Sequence, residues 1–263
     1  MIRVSPGARI VLGVIAGFVL VVLYGPLLVA IFFSFFEFRN NAVAWDSFSF
    51  DAYVSLVHDE GIIEAVENTL IVGAAAVGLS LILGTALAFY YNGSRSRLRE
   101  LLQLLIFLPF LMPPIITGLS LLIFFREVDV PRSLWTVVIG HTVFVLALVY
   151  RIVLSRLQTL RTSLVEASLD LGASRWQTFR YVLLPALLPA IGSAAILAFA
   201  LSFDETLITL LVTGTDSTLP MRLWGMMRMG FTPDINALVA VILVGTTLLA
   251  LLAIRFVKLP TQH

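Results

Sequence analysis

Six stretches of the chain contain no Asp, Glu, Lys or Arg: residues 10–36, 68–93, 101–125, 133–150, 181–203 and 235–254, each 18 to 27 residues long. About 20 apolar residues at about 1.5 Å each cross the hydrocarbon of a bilayer. No water is available there to satisfy a backbone N–H or C=O, so runs of this length fold as helices. The alternating short segments of a membrane barrel are not present. Composition agrees. Hydrophobic residues make up 59% of the 263 and charged residues 13%, whereas a soluble domain carries roughly a quarter charged, and a water-soluble enzyme is thereby excluded. The reading is an all-α membrane protein, one transmembrane domain over residues 1–263, with helices near 10–36, 68–91, 101–125, 133–150, 186–208 and 235–254. The first stretch exceeds the apolar core of a cleavable signal and is read as a retained helix.

Basic residues orient such a bundle. Twelve of the 17 fall on one side, in the N-terminus (Arg3, Arg9), the second loop (Arg95, Arg97, Arg99), the fourth loop (Arg151 to Arg180) and the tail (Arg255, Lys258). Both termini and the loop 151–185 are therefore placed in the cytoplasm. The opposite side holds 13 of the 16 acids, seven of them in the loop from Glu37 to Glu67 beside Trp45, Phe48, Phe50 and Tyr53. Cysteine is absent and the one lysine, Lys258, lies beyond the last apolar run, so thiolate chemistry, cysteine metal sites and a phosphate-binding lysine are excluded. His58, His141 and His263 form no metal-ligand spacing, and no nucleotide phosphate loop is present. His141 reads as a hydrogen-bonded packing residue.

Within the apolar stretches, Pro109, Pro113 and Pro114 each remove a backbone donor and rule out a straight third helix. Thr117 and Ser120 follow the break as candidate pathway residues, a packing kink being the other reading. Ala76, Ser80, Gly84 and Ala88 recur every four residues and predict a close helix approach. Phe203, Asp204 and Glu205 follow the fifth helix. The acids lie at the outer surface if that helix begins near Tyr181, and inside the apolar layer if it begins near Pro189.

The loop 151–185 carries its own punctuation. Ser163 and Glu166 fit a capping box that predicts a helix over 164–171, and Gly172 fits its left-handed stop. Ser174 and Gln177 fit a second box that restarts the chain. A helix this short needs a partner to bury Leu164, Ala167, Ser168 and Leu171. The partner is either the chain's own membrane helices or another protein.

Glu166-Ala167-Ser168, three residues, Gly172, nine residues, then Val182-Leu183-Leu184-Pro185 resembles the EAA motif of ABC importer permeases, with Ser168 and Val182 as mild departures. Ser202 to Glu205, Val212-Thr213-Gly214, Thr218-Leu219-Pro220 and Met229 to Leu238 are similar to the second permease of spermidine/putrescine-type importers. The segment Leu164 to Pro185 is particularly similar to permeases for putrescine or 4-aminobutyrate-like solutes. The resemblance implies a type I, binding-protein-dependent importer permease working by alternating access in the bacterial inner membrane. It implies that Glu166, Ala167, Ser168, Asp170, Leu171 and Gly172 couple to a cytoplasmic ATPase, and that Asp204, Glu205, Thr117, Ser120 and Phe203 border the solute pathway. Implied partners are a second homologous permease, two ATPase subunits, an external solute-binding protein and membrane lipid, with no nucleic acid. No cofactor is implied on this chain, ATP and Mg belonging to the ATPase, and the permease itself catalyses no covalent chemistry. The alternative is a secondary transporter driven by an ion or proton gradient. Pro114, where several polyamine permeases have Asp, points to a solute with fewer charges than a long polyamine.

The orientation is directly measurable, because the chain has no background thiol. In intact cells, Arg97→Cys and Arg161→Cys should resist an impermeant thiol reagent and react only after the membrane is opened; labelling from outside would reverse the topology.

Overall fold

The computed structural model describes residues 5–39, 42–94, 96–229 and 232–256, without the side chains of Pro6, Met229 and 249–256. Arg3, Arg95, Gly230, Phe231, Lys258 and His263, and the Arg255 side chain, lie outside the described residues. In chain order the elements are α1 (Pro6–Phe33), β1 (Phe38–Arg39), β2 (Ala42–Val43), α2 (Asp51–His58), α3 (Glu60–Gly93), α4 (Leu98–Leu111) and α5 (Pro114–Glu127). They continue with α6 (Leu134–Thr159), α7 (Thr162–Asp170), α8 (Arg175–Thr178), a π-helical turn (Phe179–Leu183), α9 (Leu184–Asp204), α10 (Leu207–Val212), α11 (Leu219–Met229) and α12 (Pro233–Phe256). They fall into two compact units, one within Met1–Ile63 and Leu223–Leu251, the other within Glu64–Arg222 and Leu252–His263.

In the first unit, Ser5 caps α1 by accepting the Ala8 N–H at 3.3 Å, and Pro6 occupies the first turn, where no donor is missed. No residue of its apolar window, Gly7–Phe33, is buried within the chain. Such a helix is stable only against lipid or another chain. Beyond it lies an aromatic cluster: Phe35 stacks on Phe48 at 5.6 Å, Phe36 meets Trp45 edge-on at 5.6 Å, and Tyr53 bonds Ser34 at 2.6 Å. The all-helical expectation is corrected here by an antiparallel ribbon pairing Phe38 with Val43 and Arg39 with Ala42. Arg39 of the ribbon also reaches Glu37 at 2.9 Å.

In the second unit, α6 is the central helix and packs against α4, α5, α9 and α10. Val145, Val149, Tyr150, Val153 and Leu154 meet Ala194 and Ala198 of α9 and Ala88 of α3 in one cluster. Val137 and Val138 meet Phe125, Ile208 and Val212 in another. The small-residue stripe of α3 is buried throughout, with Ala76, Ser80 and Ala88 each at 0% exposure. Its reason is distance: a Cβ on Gly84 would lie 2.9 Å from Val149 Cγ1 and 3.1 Å from the Tyr150 backbone N.

Several helix limits differ from the sequence reading. The third stretch is two helices, α4 and α5, meeting at 109°, because Pro113 and Pro114 cannot donate to the preceding turn. The fifth, expected over 186–208, breaks after Asp204, and α10 is separate. Helix α6 continues to Thr159 through Arg151 and Arg156, and α3 begins at Glu60 rather than 68. Charges end an apolar run without ending a helix. Helix α1 lies over 6–33 against an expected 10–36, and α12 over 233–256 against 235–254. Among the described residues four helices are long and apolar enough to span a membrane, five if α4 and α5 count as one, and α12 is apolar over Pro233–Leu248.

Gly84→Val should lower the melting temperature of the purified protein, since overpacking costs about 1–3 kcal/mol. Gly78→Ala, with nothing within 4 Å of the added carbon, should not; equal melting temperatures would show that α3 does not depend on the close approach.

Candidate functional site

Two places in the second unit combine polar groups with irregular backbone. The first is the segment between α6 and α9. Arg161, with extended backbone, precedes α7 and makes no side-chain cap, so the expected box of Ser163 and Glu166 does not form. The helix starts two residues earlier than expected, at Thr162, and Ser163 is already helical, so its hydroxyl is not at the cap position. Glu166 is instead exposed, as are Ala167, Asp170 and Gly172, while Ser168 is half-buried.

The end of α7 follows its sequence closely. Gly172 has φ +84°. The Gly172 N–H donates to Leu169 O at 2.9 Å and the Ala173 N–H to Ser168 O at 3.1 Å, the two bonds of a Schellman stop. Two residues later the second box is complete: Ser174 N–H donates to Gln177 Oε1 at 2.7 Å and Gln177 N–H to Ser174 Oγ at 3.3 Å. Ser168 Oγ and Thr178 Oγ1 lie 3.0 Å apart and tie the two short helices together. Trp176 stacks on Phe179 at 5.4 Å, and Phe179 meets Phe89 of α3 edge-on at 5.4 Å. The segment is thus fixed to the membrane helices at its α8 end. No residue of α7 is buried, and Leu171 is 88% exposed. The π-helical turn after α8 was not legible; it precedes Pro185, whose ring and missing N–H disfavour a regular turn there.

The second place is the break between α9 and α10. Glu205 has extended backbone and is the one buried carboxylate among the described residues, 7% exposed. Its Oε1 accepts the Ile208 N–H at 2.9 Å, which caps α10. Asp204 beside it is exposed and Phe203 half-buried, so the acid pair has divided roles. His141 of α6 lies 2.8 Å from Ser202 Oγ through Nδ1 and 2.8 Å from Thr209 Oγ1 through Nε2. Thr209 Oγ1 also donates to Glu205 O at 2.9 Å, and Thr136 Oγ1 to Val212 O at 2.7 Å. His141 is eight residues past Ser133, the cap of α6, so its bonds to Ser202 and Thr209 meet α6 about 12 Å in from that end at 1.5 Å per residue, with Asp204 and Glu205 in the chain between the two partners. Ser202 stood out in the sequence only as the first residue of the Ser202 to Glu205 resemblance, and Thr209 not at all, since isolated hydroxyls in apolar helices carry no spacing signal.

Helix α5 packs on α10 at Gly118, where an added Cβ would be 3.0 Å from Leu211 Cδ1. Thr117 is buried and its hydroxyl donates to Pro109 O at 3.2 Å, the carbonyl left without its helical donor by Pro113. Ser120 is exposed and donates to Ile116 O at 2.8 Å. Both hydroxyls keep acceptor capacity only.

Residues 77–260 match the inner membrane components of binding-protein-dependent transport systems. The chain belongs to this family. It is a multi-pass protein of the bacterial inner membrane. The permease is 36% identical over 229 residues to the putrescine transport system permease protein PotI of Escherichia coli, covering 84% of this chain and 81% of that one. It is 30% identical over 234 residues to the spermidine/putrescine transport system permease protein PotC of Haemophilus influenzae, covering 88% and 90%. Among solved structures, a chain of a bacterial ABC transporter involved in import of the acidic polysaccharide alginate matches 97% of the permease and 95% of itself, at a TM-score of 0.75 and 17% identity. A chain of the MetNI methionine ABC transporter in an inward-facing form matches 80% and 98%, at 0.64 and 24%. These two establish the fold.

Thr117→Val should destabilise the permease by about 1–3 kcal/mol, the cost of a buried acceptor left unpaired, while Thr117→Ser should be nearly neutral. Thermal unfolding in detergent checks this, and an unchanged Thr117→Val midpoint would mean that Pro109 O finds another donor.

Proposed function

We propose that this permease forms half of the translocation pathway of a type I ABC importer for a small solute bearing a protonated amino group, a diamine such as putrescine or a 4-aminobutyrate-like amino acid. A second homologous permease supplies the other half, an external solute-binding protein delivers the solute, and two cytoplasmic ATPase subunits bind ATP and Mg and carry out hydrolysis. In this reading the chain crosses the membrane six times with both termini and α7 on the cytoplasmic side, which the arginine distribution supports.

The observation that carries the reading is α7: a nine-residue helix with no buried residue, stopped by a left-handed glycine and tied through Ser168 to Thr178 of α8. A helix of this length gains its stability from what it packs on, and here its outward face awaits another protein. Closing of the ATPase pair moves α7; the anchor through Trp176 and Phe179 passes that movement to α3 and α9, and the cavity turns outward. At the other end of α9, Asp204 offers an exposed carboxylate. Pairing with an ammonium group offsets much of the cost of holding a charge at that depth. Family relatives named for putrescine and for spermidine/putrescine support a cationic amine.

Glu166→Lys places a cation at the exposed face of α7, and Gly172→Val forces a β-branched residue to positive φ at about 1–2 kcal/mol. Both variants should insert in the membrane, lose uptake and copurify less ATPase; normal solute-stimulated ATP hydrolysis in both would reduce α7 to packing. Asp204→Asn should lower putrescine uptake by about tenfold, the loss of one partly desolvated charge pair, and unaltered uptake by an intact complex would leave Asp204 a helix-end acid.

A further inference from the structure

We propose that His141 is a positioning residue of the solute pathway: by bridging Ser202 of α9 and Thr209 of α10 it fixes the joint after Asp204 and holds the Asp204 carboxylate at the pathway surface. The inference rests on the reading of Asp204 as a pathway residue.

The joint is two residues long. Glu205 is extended at φ −76° and ψ 105°, and Thr206 returns to helical ψ at −36°. A break this short is a hinge unless side chains lock it. His141, 1% exposed, is the one side chain among the described residues bonded to both flanking helices. Its protonation pattern follows from its partners. Thr209 donates its hydroxyl proton to Glu205 O, so Thr209 Oγ1 accepts from Nε2–H, and Nδ1 accepts from the Ser202 hydroxyl. Every donor in this chain of bonds has one acceptor, and the sequence Ser202, His141, Thr209, Glu205 runs without a gap from one side of the break to the other.

Packing reinforces the bonds. A Cβ on Gly140 would lie 2.7 Å from Ile208 Cγ2, so α6 and α10 are closely packed at the residue beside His141. The neighbouring Glu205 is committed to capping α10 through Ile208. Asp204 alone keeps a free carboxylate at the break, and its direction depends on the angle that His141 sets. An apolar residue at 141 would leave the hydroxyl of Ser202 without its acceptor and that of Thr209 without its donor, both buried, and would release the joint.

The test measures putrescine uptake at saturating solute by the complete importer, in cells with no other putrescine uptake, normalised to assembled complex. His141→Leu should reduce uptake about tenfold, as expected for loss of two buried bonds. His141→Gln, which keeps a donor and an acceptor, should recover a substantial part of it. If His141 acts through Asp204, His141→Leu should change uptake less than about twofold when added to Asp204→Asn, because coupled residues are not additive. Should His141→Leu fail to assemble, Ser202→Ala, which removes only the donor to Nδ1, takes its place in the same cycle. Full multiplication of the two losses, equal loss in the Leu and Gln variants, or normal uptake in both His141→Leu and Ser202→Ala would overturn the inference while Asp204→Asn remains defective. Normal uptake in Asp204→Asn would overturn the pathway reading itself.

Discussion

Every backbone donor and acceptor inside a bilayer must be satisfied by the protein, and the permease is organised around the places where its own helices fail that condition. Pro113 leaves Pro109 O without a donor, and the Thr117 hydroxyl supplies one at 3.2 Å. The break after Asp204 is closed by Thr209 donating to Glu205 O and by Glu205 accepting from Ile208 N–H. At these two breaks, the α4–α5 bend and the α9–α10 joint, a hydroxyl or carboxylate from the next turn repairs the irregular backbone.

The bends place the chemistry. With α9 broken at Glu205, α10 lies along the first turns of α6 and carries α5 against it, so the polar groups of three helices gather about two turns inside the end of α6. The other end of the same bundle is built differently. Helix α6 runs on past Tyr150 through arginines, and α7 projects with no buried residue. One unit therefore has a polar junction within its apolar length and an exposed short helix at its far end, joined by α6 and α9, whose valines and alanines pack into one cluster. Under the proposed function, that packing is what would carry a displacement of α7 to the junction.

Much of this was legible because the signals are local. The left-handed stop at Gly172 and the box of Ser174 and Gln177 depend on residues within five positions of each other, and they appear as read. The small-residue stripe of α3 is buried because a four-residue period keeps one face toward α6. The misreadings are also instructive. Ser163 and Glu166 have the right spacing for a cap, but Arg161 already carries the extended backbone, and spacing alone cannot fix which residue starts a helix. The ribbon of β1 and β2 has two residues in each strand, too short for any period to register.

What the sequence determined by itself was the solvent, the helices and the punctuation: long charge-free runs demand a bilayer, prolines break them, and Gly172, Ser174 and Gln177 stop and restart the chain between α7 and α8. What only the tertiary structure decided was the difference between two adjacent acids. Asp204 and Glu205 are chemically equivalent in the sequence, yet one is exposed and the other turns inward to an amide of α10. Their roles diverge because residues 61 and 68 positions away from His141 in the chain converge on its two ring nitrogens. Such a convergence depends on how α6, α9 and α10 pack, and a one-dimensional pattern carries no record of it.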